Sequence, residues 1–336
     1  MKKVVLGLSG GVDSALAAAL LKEQGYDVLG LYIDFGFGSP EDAQRVAREM
    51  GISFAVADRR QALQDKVCRY FIEEYRRGRT PNPCVVCNPL VKFRTLLDVA
   101  EEAGAQCIAT GHYAQTGEWG GKHVILAAES PKDQSYMLCR LTQEMADRVR
   151  FPLGGYPDKT AVRRDAARYG IPIADKADSM DVCFIPDGDY GNYLARSGVR
   201  LPKGQFVLED GTVLGEHRGI QHYTVGQRKG LGVAAEGRLF VHRIDPARNQ
   251  VVLSFSDVFR KEVEIQNVST IDPMEFQREF DAEIKVRYSK KSQRGRVIPR
   301  GRDGVIVFEE PVRAPAPGQS AVFYDGRRLI GGGFIR

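Results

Sequence analysis

Residues 4–21 read VVLGLSGGVDSALAAALL, an apolar run that ends in a glycine-rich turn and continues as a helix-like stretch. Because Gly10 and Gly11 carry no Cβ, an anion can approach the backbone N–H groups of this turn closely. Those N–H groups join the N-terminus of the following helix, where the helix dipole favours negative charge. The stretch therefore predicts an anion-binding loop between a first strand and a first helix.

The side chains of this loop narrow the kind of ligand. The hydroxyls of Ser9 and Ser14 can donate to phosphate oxygens, and Asp13 could either cap the helix or help to hold Mg²⁺. The loop lacks the lysine of G-x-x-x-x-G-K-[ST] and does not match G-x-G-x-x-G. Transfer of a γ-phosphate and binding of a dinucleotide are therefore disfavoured. A tight turn that merely needs glycine is the structural alternative.

Composition is typical of a globular protein with more than one domain. The chain has 336 residues, which is long enough for two or three domains. No run of 18 apolar residues is present, so the sequence indicates no membrane partner. The opening MKKVVLGLSGG resembles a first strand more than a signal peptide, because glycines interrupt its short apolar run. We expect a cytoplasmic protein.

Strands and helices alternate through the first half of the chain. Predicted strands cover residues 4–8, 28–33, 53–57 and 107–110, and predicted helices cover 13–24, 40–50, 61–77 and 92–103. Strands separated by helices predict a parallel sheet that is covered on both faces. Ligands bind beyond the carboxyl ends of such strands. The loop at 9–14 and the segment at 110–113 are therefore expected to line one crevice.

The sequence pattern changes after about residue 190, where glycines and short β-like runs appear. The pair Asp210–Gly211 is a hairpin signal, and from about residue 259 strand-like runs alternate with turns. We predict a Rossmann-like α/β domain with a parallel sheet at 1–190. A small central α+β domain follows at 191–258, and an antiparallel β-barrel occupies 259–336.

The cysteines fall into two groups. Cys68, Cys107 and Cys139 lie in apolar runs and are predicted to be core residues. Cys84 and Cys87 form a C-x-x-C pair, which can be a redox pair, half of a zinc site or part of a cluster site.

The C-x-x-C pair stands in a proline-rich segment, and Cys183 follows later in DSMDVCFI. We expect the prolines to form a loop that exposes the pair. Arg79, Lys92 and Arg94 lie close in sequence and are expected to favour the reactive thiolate form.

A basic run indicates a polyanionic partner. Between residues 285 and 302 there are eight basic residues and no acidic one. They are Lys285, Arg287, Lys290, Lys291, Arg294, Arg296, Arg300 and Arg302. Such a stripe suits the phosphate backbone of RNA, although a solvated face of a β-domain would have the same composition.

The string SGGVDS resembles the PP-loop of ATP pyrophosphatases, which split ATP between the α- and β-phosphates. A wider resemblance, to the tRNA-specific 2-thiouridylase family of the MnmA type, runs nearly from end to end. The matching segments are GLSGGVDS, GRTPNP, ATGHYA, KDQSYML, FPLG, CFI, YTVGQRKGLG, VRYS and PGQSAVFYDG, in the family's order. The resemblance implies a PP-loop domain and a tRNA uridine 2-sulfurtransferase. Such an enzyme uses ATP and Mg²⁺ to adenylate the C2 oxygen of the wobble uridine, with release of diphosphate, and then replaces that oxygen with sulfur.

The resemblance also implies roles for particular residues. The implied ATP contacts are Gly7, Leu8, Ser9, Gly10, Gly11, Val12, Asp13, Ser14, Ile33 and Gly111. The implied tRNA contacts are Asn82 and Pro83 beside the target base, and Lys132, Asp133, Gln134, Arg287 and Tyr288 elsewhere. Cys183 matches the cysteine that takes a persulfide, and Cys87 matches the cysteine that releases the sulfur by closing a transient disulfide.

One position departs from the family pattern, because Cys84 stands where the better-known members have an aspartate. Cys84, Cys87 and Cys183 are therefore expected to be catalytic and could together hold a 4Fe–4S cluster with one iron left without a protein ligand. A persulfide route with a spare cysteine, and a zinc site, are the alternatives. The sulfur donor would be a cysteine desulfurase, a sulfur carrier or inorganic sulfide.

Two rival functions remain open from the sequence. An ATP pyrophosphatase that acts on a small molecule would explain the loop but would leave the cysteines and the basic run without a role. A tRNA-binding or cluster-carrying protein without turnover would leave the loop unexplained.

Overall fold

The structure is a computed structural model that describes residues 2–171, 182–199, 202–288 and 291–336. Lys290 of the basic run lies outside these residues. The elements of the first part of the chain are β1 Lys3–Gly7, α1 Val12–Glu23, β2 Asp27–Asp34, α2 Glu41–Met50, β3 Ser53–Asp58, α3 Arg60–Leu63, α4 Arg69–Arg76, α5 Pro83–Cys87, α6 Phe93–Glu102, β4 Cys107–Ala109, β5 Ala114–Trp119, β6 Lys122–Ala127, α7 Gln143–Arg148, β7 Val149–Arg150, α8 Lys159–Arg168 and α9 Tyr190–Arg196.

A parallel sheet forms the centre of this part, with the strand order β3-β2-β1-β4-β7. Side chains of β1 alternate between the two faces of the sheet. Val4 and Leu6 pack with helix α1 in one core, whereas Val5 packs with Phe93 and Leu96 of α6 in the other. The predicted Rossmann-like sheet with helices on both faces is confirmed, and the four predicted strands match β1 to β4 within a residue or so.

Two predicted helices differ from the observed ones in detail. Helix α2 begins at Glu41, one residue later than expected, and the Ser39 hydroxyl accepts the N–H of Glu41 at 3.3 Å. The helix predicted over 61–77 is divided into α3 and α4 by a π-helical turn at Gln64–Cys68. The predicted helix is therefore present, but with a π-helical turn that hydrophobic periodicity does not report.

The proline-rich segment was expected to be a loop, and this expectation is wrong. Pro83–Cys87 is helix α5, followed by a π-helical turn Asn88–Lys92 that leads into α6. Pro83 occupies the first helical position, where its missing N–H costs no hydrogen bond. The side chain of Asn82 caps the helix by accepting the N–H of Cys84 at 3.2 Å.

The remaining strands build two further sheets. The elements are β8 Gly204–Leu208, β9 Val213–His217, β10 Phe240–Asp245, β11 Gln250–Ser254, β12 Phe259–Thr270, β13 Phe280–Lys285, β14 Gln293–Arg300, β15 Asp303–Arg313, β16 Ser320–Asp325 and β17 Arg328–Ile335. Strands β8 and β9 form the predicted hairpin, closed by a bond of 2.8 Å from the N–H of Leu208 to the carbonyl of Thr212. The central sheet has the order β10-β11-β8-β9.

The C-terminal strands close into the predicted antiparallel barrel. Their order is β12-β15-β14-β13-β16-β17, and β12 pairs again with β17 to complete the circle. The core of the barrel includes Phe308, Phe323 and Ile306, each 1 % exposed or less. Closure leaves no free edge among these strands, which removes the unpaired backbone groups of an open sheet.

The hairpin of β5 and β6 belongs to the barrel sheet although it precedes the barrel by more than a hundred residues. Leu126 of β6 pairs with Arg328 of β17, and the N–H of Ala127 donates to the carbonyl of Arg327 at 2.7 Å. This connection was not predicted. It fixes the first domain directly against the barrel.

The domain limits near residues 190 and 258 remain predictions. Helix α9, which follows the first of them, contributes Leu194 to the same core as Phe71 of α4. In the part of the chain that the structure describes, no helix has the length and apolar character needed to cross a bilayer.

Candidate functional site

The glycine-rich loop lies at the carboxyl end of β1 and is held together by its own serines. Ser14 Oγ accepts the N–H of Ser9 at 3.2 Å and donates to the carbonyl of Gly11 at 2.9 Å. The Ser14 side chain is buried, whereas Ser9 is exposed. Ser9 is therefore placed to meet a phosphate oxygen, and Ser14 acts first as a brace for the loop.

Three glycines shape the space around this loop for different reasons. Gly10 has a φ of +75°, and a Cβ there would lie 2.8 Å from the Cβ of Asp42 in α2. At Gly11 a Cβ would contact only Ser9 Oγ, at 3.6 Å, so this glycine leaves room beside the N–H groups. A Cβ on Gly111 would lie 3.1 Å from the amide nitrogen of Ser14, which shows that the segment after β4 touches the first turn of α1.

The two segments that the sequence predicted to share one edge of the sheet are therefore in contact, and the crevice between them stays a prediction. Ile33 stands near the carboxyl end of β2, beside β1, where it is half-buried. The loop, Gly111 and Ile33 consequently share the same edge of the sheet.

Asp13 is engaged by two residues of other segments. Tyr113 donates its hydroxyl to Asp13 Oδ1 at 2.8 Å, and Lys159 donates its ammonium to Asp13 Oδ2 at 2.6 Å. Asp13 does not cap helix α1, which has Gly11 at its N-cap and no side-chain cap. The ammonium of Lys159, 15 % exposed along its side chain, brings to the loop a positive charge that the loop sequence lacks.

Lys159 and Tyr113 were missed by the sequence analysis. Lys159 opens helix α8, whose N-cap Asp158 accepts the N–H of Ala161 at 2.8 Å. The capping pattern makes the start of α8 predictable, but nothing local in the sequence indicates that this lysine reaches a carboxylate 146 residues away.

The cysteine pair lies on helix α5, one turn apart. Cys84 in the first turn is exposed, whereas Cys87 is 8 % exposed and belongs to the hydrophobic core. Cys183 is also exposed. The expectation that the segment exposes both members of the C-x-x-C pair is wrong, because the helix turns Cys87 inward.

The expected thiolate form is not what the structure favours. Burial raises the pKa of Cys87 to about 12, with further contributions from Cys183 and Cys84. Partial enclosure by the protein also raises the pKa of Cys84 and that of Cys183. Lys92 opposes these shifts but does not overcome the loss of hydration.

The two arginines that were expected to help are occupied elsewhere. Arg79 forms an ion pair with Glu74, with 3.6 Å between the charged atoms, and Arg94 forms one with Asp98 at 2.7 Å. Lys92 alone of the three basic neighbours acts on the thiols.

The thiols are close enough to interact electrostatically with one another. Cys183 contributes to the raised pKa of Cys87, and both Cys84 and Cys68 contribute to the raised pKa values of Cys87 and Cys183. Cys68 is buried, as are Cys107 and Cys139, which confirms their prediction as core residues. The electrostatic influence of Cys68 on Cys87 and Cys183 was not predicted.

The helical segment after the cysteine pair contacts the segment after β4, because the ring of Phe93, next to Lys92, lies 6.0 Å from that of His112. The charge of Lys92 acts on the thiols and also on His112, which follows Gly111. Burial and Lys92 hold the pKa of His112 well below its usual value, so this ring is neutral. His112 Nδ1 lies 2.8 Å from the Thr110 hydroxyl, which gives the ring a structural hydrogen bond.

Several of the residues implied to contact tRNA have internal partners. Asp133 Oδ2 accepts the Ser135 hydroxyl at 3.0 Å and the Lys285 ammonium at 3.3 Å, and Gln134 Oε1 accepts the N–H of Tyr113 at 3.0 Å. Asn82 holds the start of α5, next to Pro83, as described above. These residues therefore position the segments of the site, whether or not they also touch RNA.

The other residues implied to contact tRNA differ in how exposed their side chains are. Arg287 donates to the carbonyls of Val225 at 2.6 Å and Ala314 at 2.9 Å, and burial lowers its pKa. Tyr288 is 41 % exposed, and its ring lies 6.0 Å from that of Tyr136. Lys132 is exposed at the surface. Tyr288 and Lys132 are thus the exposed members of this set.

The basic run is not a continuous stripe. Lys285 pairs with Asp133, the half-buried Arg287 is bonded to backbone carbonyls, and Arg296 forms an ion pair with Asp281 at 2.8 Å. The exposed cations that remain are Lys291, Arg294, Arg300 and Arg302. The charge on this face is therefore smaller than the sequence alone indicates.

In this parallel sheet a glycine-rich loop follows β1, and the segment after β4 contacts that loop where the strand order reverses. This arrangement is that of a PP-loop domain. Comparison with known proteins agrees along the whole chain. Residues 2–187 match a family model described as the tRNA methyl transferase HUP domain. Residues 192–255 match the tRNA methyl transferase PRC-barrel domain, and residues 260–335 match the aminomethyltransferase beta-barrel domain.

Curated relatives match over nearly their full length. The tRNA-specific 2-thiouridylase MnmA of Clostridium acetobutylicum is 43% identical, with 100% of this chain and 99% of the relative covered. The protein of the same name from Clostridioides difficile is 40% identical, with 99% and 98% covered. The chain therefore belongs to the MnmA family of tRNA-specific 2-thiouridylases, enzymes of the PP-loop superfamily.

Proposed function

We propose that this protein uses ATP to activate the C2 oxygen of the wobble uridine in tRNA and then replaces that oxygen with sulfur. The observation that carries the proposal is geometric: the helical segment that bears Cys84 and Cys87 runs on into α6, where the ring of Phe93 lies 6.0 Å from that of His112, beside Gly111. The sulfur-handling side chains thus adjoin the predicted nucleotide site. Because tRNA is its substrate, the enzyme would work in the cytoplasm.

The first step is proposed to take place at the glycine-rich loop. The β- and γ-phosphates of ATP would lie against the N–H groups of the first turn of α1, with the hydroxyl of Ser9 beside them. The C2 oxygen attacks the α-phosphorus, the bond to the β-phosphate oxygen breaks, and diphosphate leaves. The uridine is then joined to AMP, which departs more readily than an oxygen of the base itself.

Mg²⁺ fits this site only with ATP. The loop offers the ion one carboxylate, Asp13, and both of its oxygens already accept hydrogen bonds from Tyr113 and Lys159. Any Mg²⁺ would therefore arrive on the phosphates and would supply charge neutralisation there. The residues of the chain contribute the N–H groups and the ammonium of Lys159.

The second step is proposed to use Cys84, Cys87 and Cys183. In the persulfide route, Cys183 carries the extra sulfur, and the terminal sulfur forms a bond to C2 while the C2–oxygen bond breaks and AMP leaves. The Cys87 thiolate then attacks the Sγ of Cys183. The electron pair of the breaking S–S bond stays with the sulfur on the base, and a Cys87–Cys183 disulfide remains that an external thiol must reduce.

The cluster route remains a prediction. Its support is the third thiol, Cys84, in electrostatic range of the other two. Against a preformed site stands the geometry, because the described residues contain no group of three His, Cys, Asp or Glu side chains placed to hold a metal ion. The thiols as they stand do not fit a 4Fe–4S cluster, and we derive no step through one.

Iron and sulfide analysis after anaerobic purification tests which route operates. A brown protein that loses its colour and its iron in Cys84→Ala would establish the cluster route. A colourless, iron-free protein that thiolates tRNA fully would establish the persulfide route. The donor is identified by supplying a cysteine desulfurase with cysteine, a sulfur carrier, or inorganic sulfide in separate reactions.

The two rival functions are tested by measuring diphosphate release with and without tRNA. The proposed function predicts release that requires tRNA. Release with a small-molecule acceptor and no tRNA would favour a different ATP pyrophosphatase. A protein that binds tRNA but releases no diphosphate would favour a binding protein without turnover.

A further inference from the structure

A cavity of about 840 Å³ lies between the first domain and the barrel, and its lining includes Val86 of helix α5 but none of Cys84, Cys87 and Cys183. Its walls come from α4, from the turn after Cys87, from the segment that precedes α7, and from strands β12 and β17. Val86, Pro89 and Leu90 line it directly behind the cysteine pair. The mechanism described above does not use it.

The charges that line the cavity do not balance. Among its charged lining residues, Glu74 is neutralised by Arg77 at 3.0 Å and by Arg79 at 3.6 Å. Glu144 lies 3.8 Å from Arg94. These contacts account for both carboxylates of the lining.

Three further cations line the cavity and pair with no carboxylate in the described part of the chain: Lys66, Arg140 and Arg302. Arg140 is held by the carbonyl of Asn267, and its guanidinium lies 4.8 Å from the centre of the Phe334 ring. Burial lowers the pKa of Arg140, and the charge of Arg302 lowers it further. Two like charges are thus kept together without a counter-ion, which is unfavourable unless an anion joins them.

A hydroxyl group without a partner points to the same conclusion. The Tyr70 hydroxyl is inaccessible to solvent and has no hydrogen-bond partner among the described residues. The ring of Tyr70 packs against Phe334 at 5.7 Å, and Arg140 contacts the same Phe334. A buried hydroxyl left unpaired is costly, and an acceptor in the cavity would satisfy it.

We propose that this cavity binds a phosphate group, and that the phosphate belongs to the backbone of the tRNA whose uridine enters the thiol site. Resting on the proposed function, the assignment to RNA follows from the unpaired cations and from adjacency, because Val86 of the helix that carries Cys84 and Cys87 lines the cavity. Arg140 and Arg302 would bind the phosphate oxygens, and a small movement of Tyr70, whose hydroxyl is covered in this structure, would let it donate to one of them. A free polyphosphate has the same chemistry and is the other source to be distinguished.

The tRNA arm of the test measures affinity by fluorescence anisotropy between about 50 and 300 mM KCl. Arg302 is exposed in a turn, so Arg302→Gln should fold normally. We expect this variant to bind tRNA about 3- to 10-fold more weakly at low salt, with the salt slope reduced by about one. Arg278→Gln is the matched control, because it removes an exposed charge of the same domain that does not line the cavity. It should change the tRNA affinity by less than about twofold.

Tyr70→Phe separates binding from structure. It removes only the unpartnered hydroxyl and keeps the ring on Phe334. We expect the urea midpoint of this variant to stay the same or rise, while its tRNA affinity falls. A lower midpoint with unchanged affinity would show that the hydroxyl serves the fold, and would overturn its assignment to a ligand.

The second arm titrates tripolyphosphate calorimetrically into the full chain saturated with a non-hydrolysable ATP analogue. Heat that Arg302→Gln removes, with tRNA affinity unchanged, would assign the cavity to a free polyphosphate. Wild-type behaviour of Arg302→Gln in both arms would overturn the proposal. If the wild-type protein itself failed to bind tRNA, the proposed function would fall, and the tripolyphosphate arm would still decide whether the cavity binds phosphate.

Discussion

Asp13 and Lys159 set the charge at the loop that is to receive the phosphates of ATP. Without the ammonium, the carboxylate of Asp13 would repel an incoming phosphate. We predict that Lys159→Met raises the KM for ATP in diphosphate release by about tenfold, after allowance for solvent screening of a partly exposed pair. Lys159→Arg should restore most of the affinity.

Tyr113→Phe provides the matched control, since it removes the other partner of Asp13 without changing charge. Loss of one neutral donor should raise the KM for ATP only about three- to fivefold. A wild-type KM in Lys159→Met would contradict the role given to the ammonium.

The reactivity of the thiols should follow their burial. Because burial raises the pKa of Cys87 to about 12, its thiol is neutral at pH 7, and its alkylation by iodoacetamide should accelerate steadily as the pH rises, with no plateau below pH 10 or so. The exposed Cys84 and Cys183 should be labelled first. Mass spectrometry of quenched samples measures each site separately.

Substitutions of Lys92 test whether its charge affects the reactivity of the thiols. Lys92→Gln removes the cation that opposes the raised pKa values, so labelling at all three cysteines should slow at every pH. Lys92→Arg keeps the charge and should behave like the wild type. Equal labelling of Cys87 and Cys84 at pH 7 would contradict the account.

At the level of single residues, the sequence indicated which side chains belong to the candidate site, but not their burial or protonation state. Ser9, Gly10 and Gly11 could be recognised because their roles are local. The state of Cys87 could not, because it depends on burial and on the distance to Lys92. The predicted effect of Arg79 and Arg94 on the thiols was wrong, because both arginines form ion pairs with carboxylates in the folded chain.

The turn between β1 and α1 allows stability and ligand binding to be separated. Gly10→Ala places a Cβ 2.8 Å from that of Asp42 at a φ of +75°, so it should lower the free energy of unfolding by about 1–3 kcal/mol. Gly11→Ala meets only Ser9 Oγ and should leave stability nearly unchanged while it weakens ATP binding.

Urea unfolding and ATP-analogue titration on both glycine variants measure the two effects. Gly25→Ala, also at positive φ but with open space around it, isolates the backbone strain and should cost about 1 kcal/mol. If Gly11→Ala bound the analogue as tightly as the wild type, the loop would not be the phosphate site.

Helix α5 depends on its cap because it has only five residues. Asn82→Ala leaves the N–H of Cys84 without its acceptor and should lower stability by about 1 kcal/mol. Asn82→Asp keeps an acceptor and should retain the stability. Thermal unfolding measures both variants, and equal midpoints for all three proteins would contradict the role of the cap.

The elements themselves were mostly predictable, and the exceptions have physical reasons. The alternation of apolar runs located β1 to β4 and helices α1 and α2. Helix α5 was missed because proline was taken as a loop signal, although Asn82 before Pro83 is a capping pattern that the sequence displays. The π-helical turns at Gln64–Cys68 and Asn88–Lys92 have no comparable local signal.

Arg287 links the central segment to the barrel across the molecule. Its guanidinium bonds to the carbonyls of Val225 and Ala314. Arg287→Met keeps the bulk of the side chain but leaves these carbonyls unpaired, and it should lower the free energy of unfolding by about 2–3 kcal/mol. Arg300→Met, at an exposed position of β14, should change it little.

Urea denaturation compares the two arginine variants, and tRNA affinity is measured beside it. A stable Arg287→Met with reduced tRNA affinity would show that this arginine contacts RNA rather than holding the domains together. The resemblance to the thiouridylase family implies the RNA contact, and the structure supplies the internal one.

The assembly of the domains was the part that sequence reasoning could least foresee. The barrel and the parallel sheet were each predicted, but the pairing of Leu126 with Arg328 joins segments about 200 residues apart. Such a pairing follows from the shape of the folded domains and not from any local pattern. The placement of Cys183 also depends on contacts between distant segments, since the ring of its neighbour Phe184 lies 5.3 Å from that of Phe71 in α4.

The most direct test of the central claim uses ATP labelled at the α-phosphate, with tRNA and the Cys87→Ser variant, in a rapid-quench experiment. The account predicts that label passes to the tRNA, that diphosphate is released in equal amount to the adenylated tRNA, and that no thiouridine forms. In the wild type with a sulfur donor, the label should leave as AMP as sulfur enters the wobble uridine. Diphosphate release without tRNA, or thiolation with no label ever on the tRNA, would contradict the account.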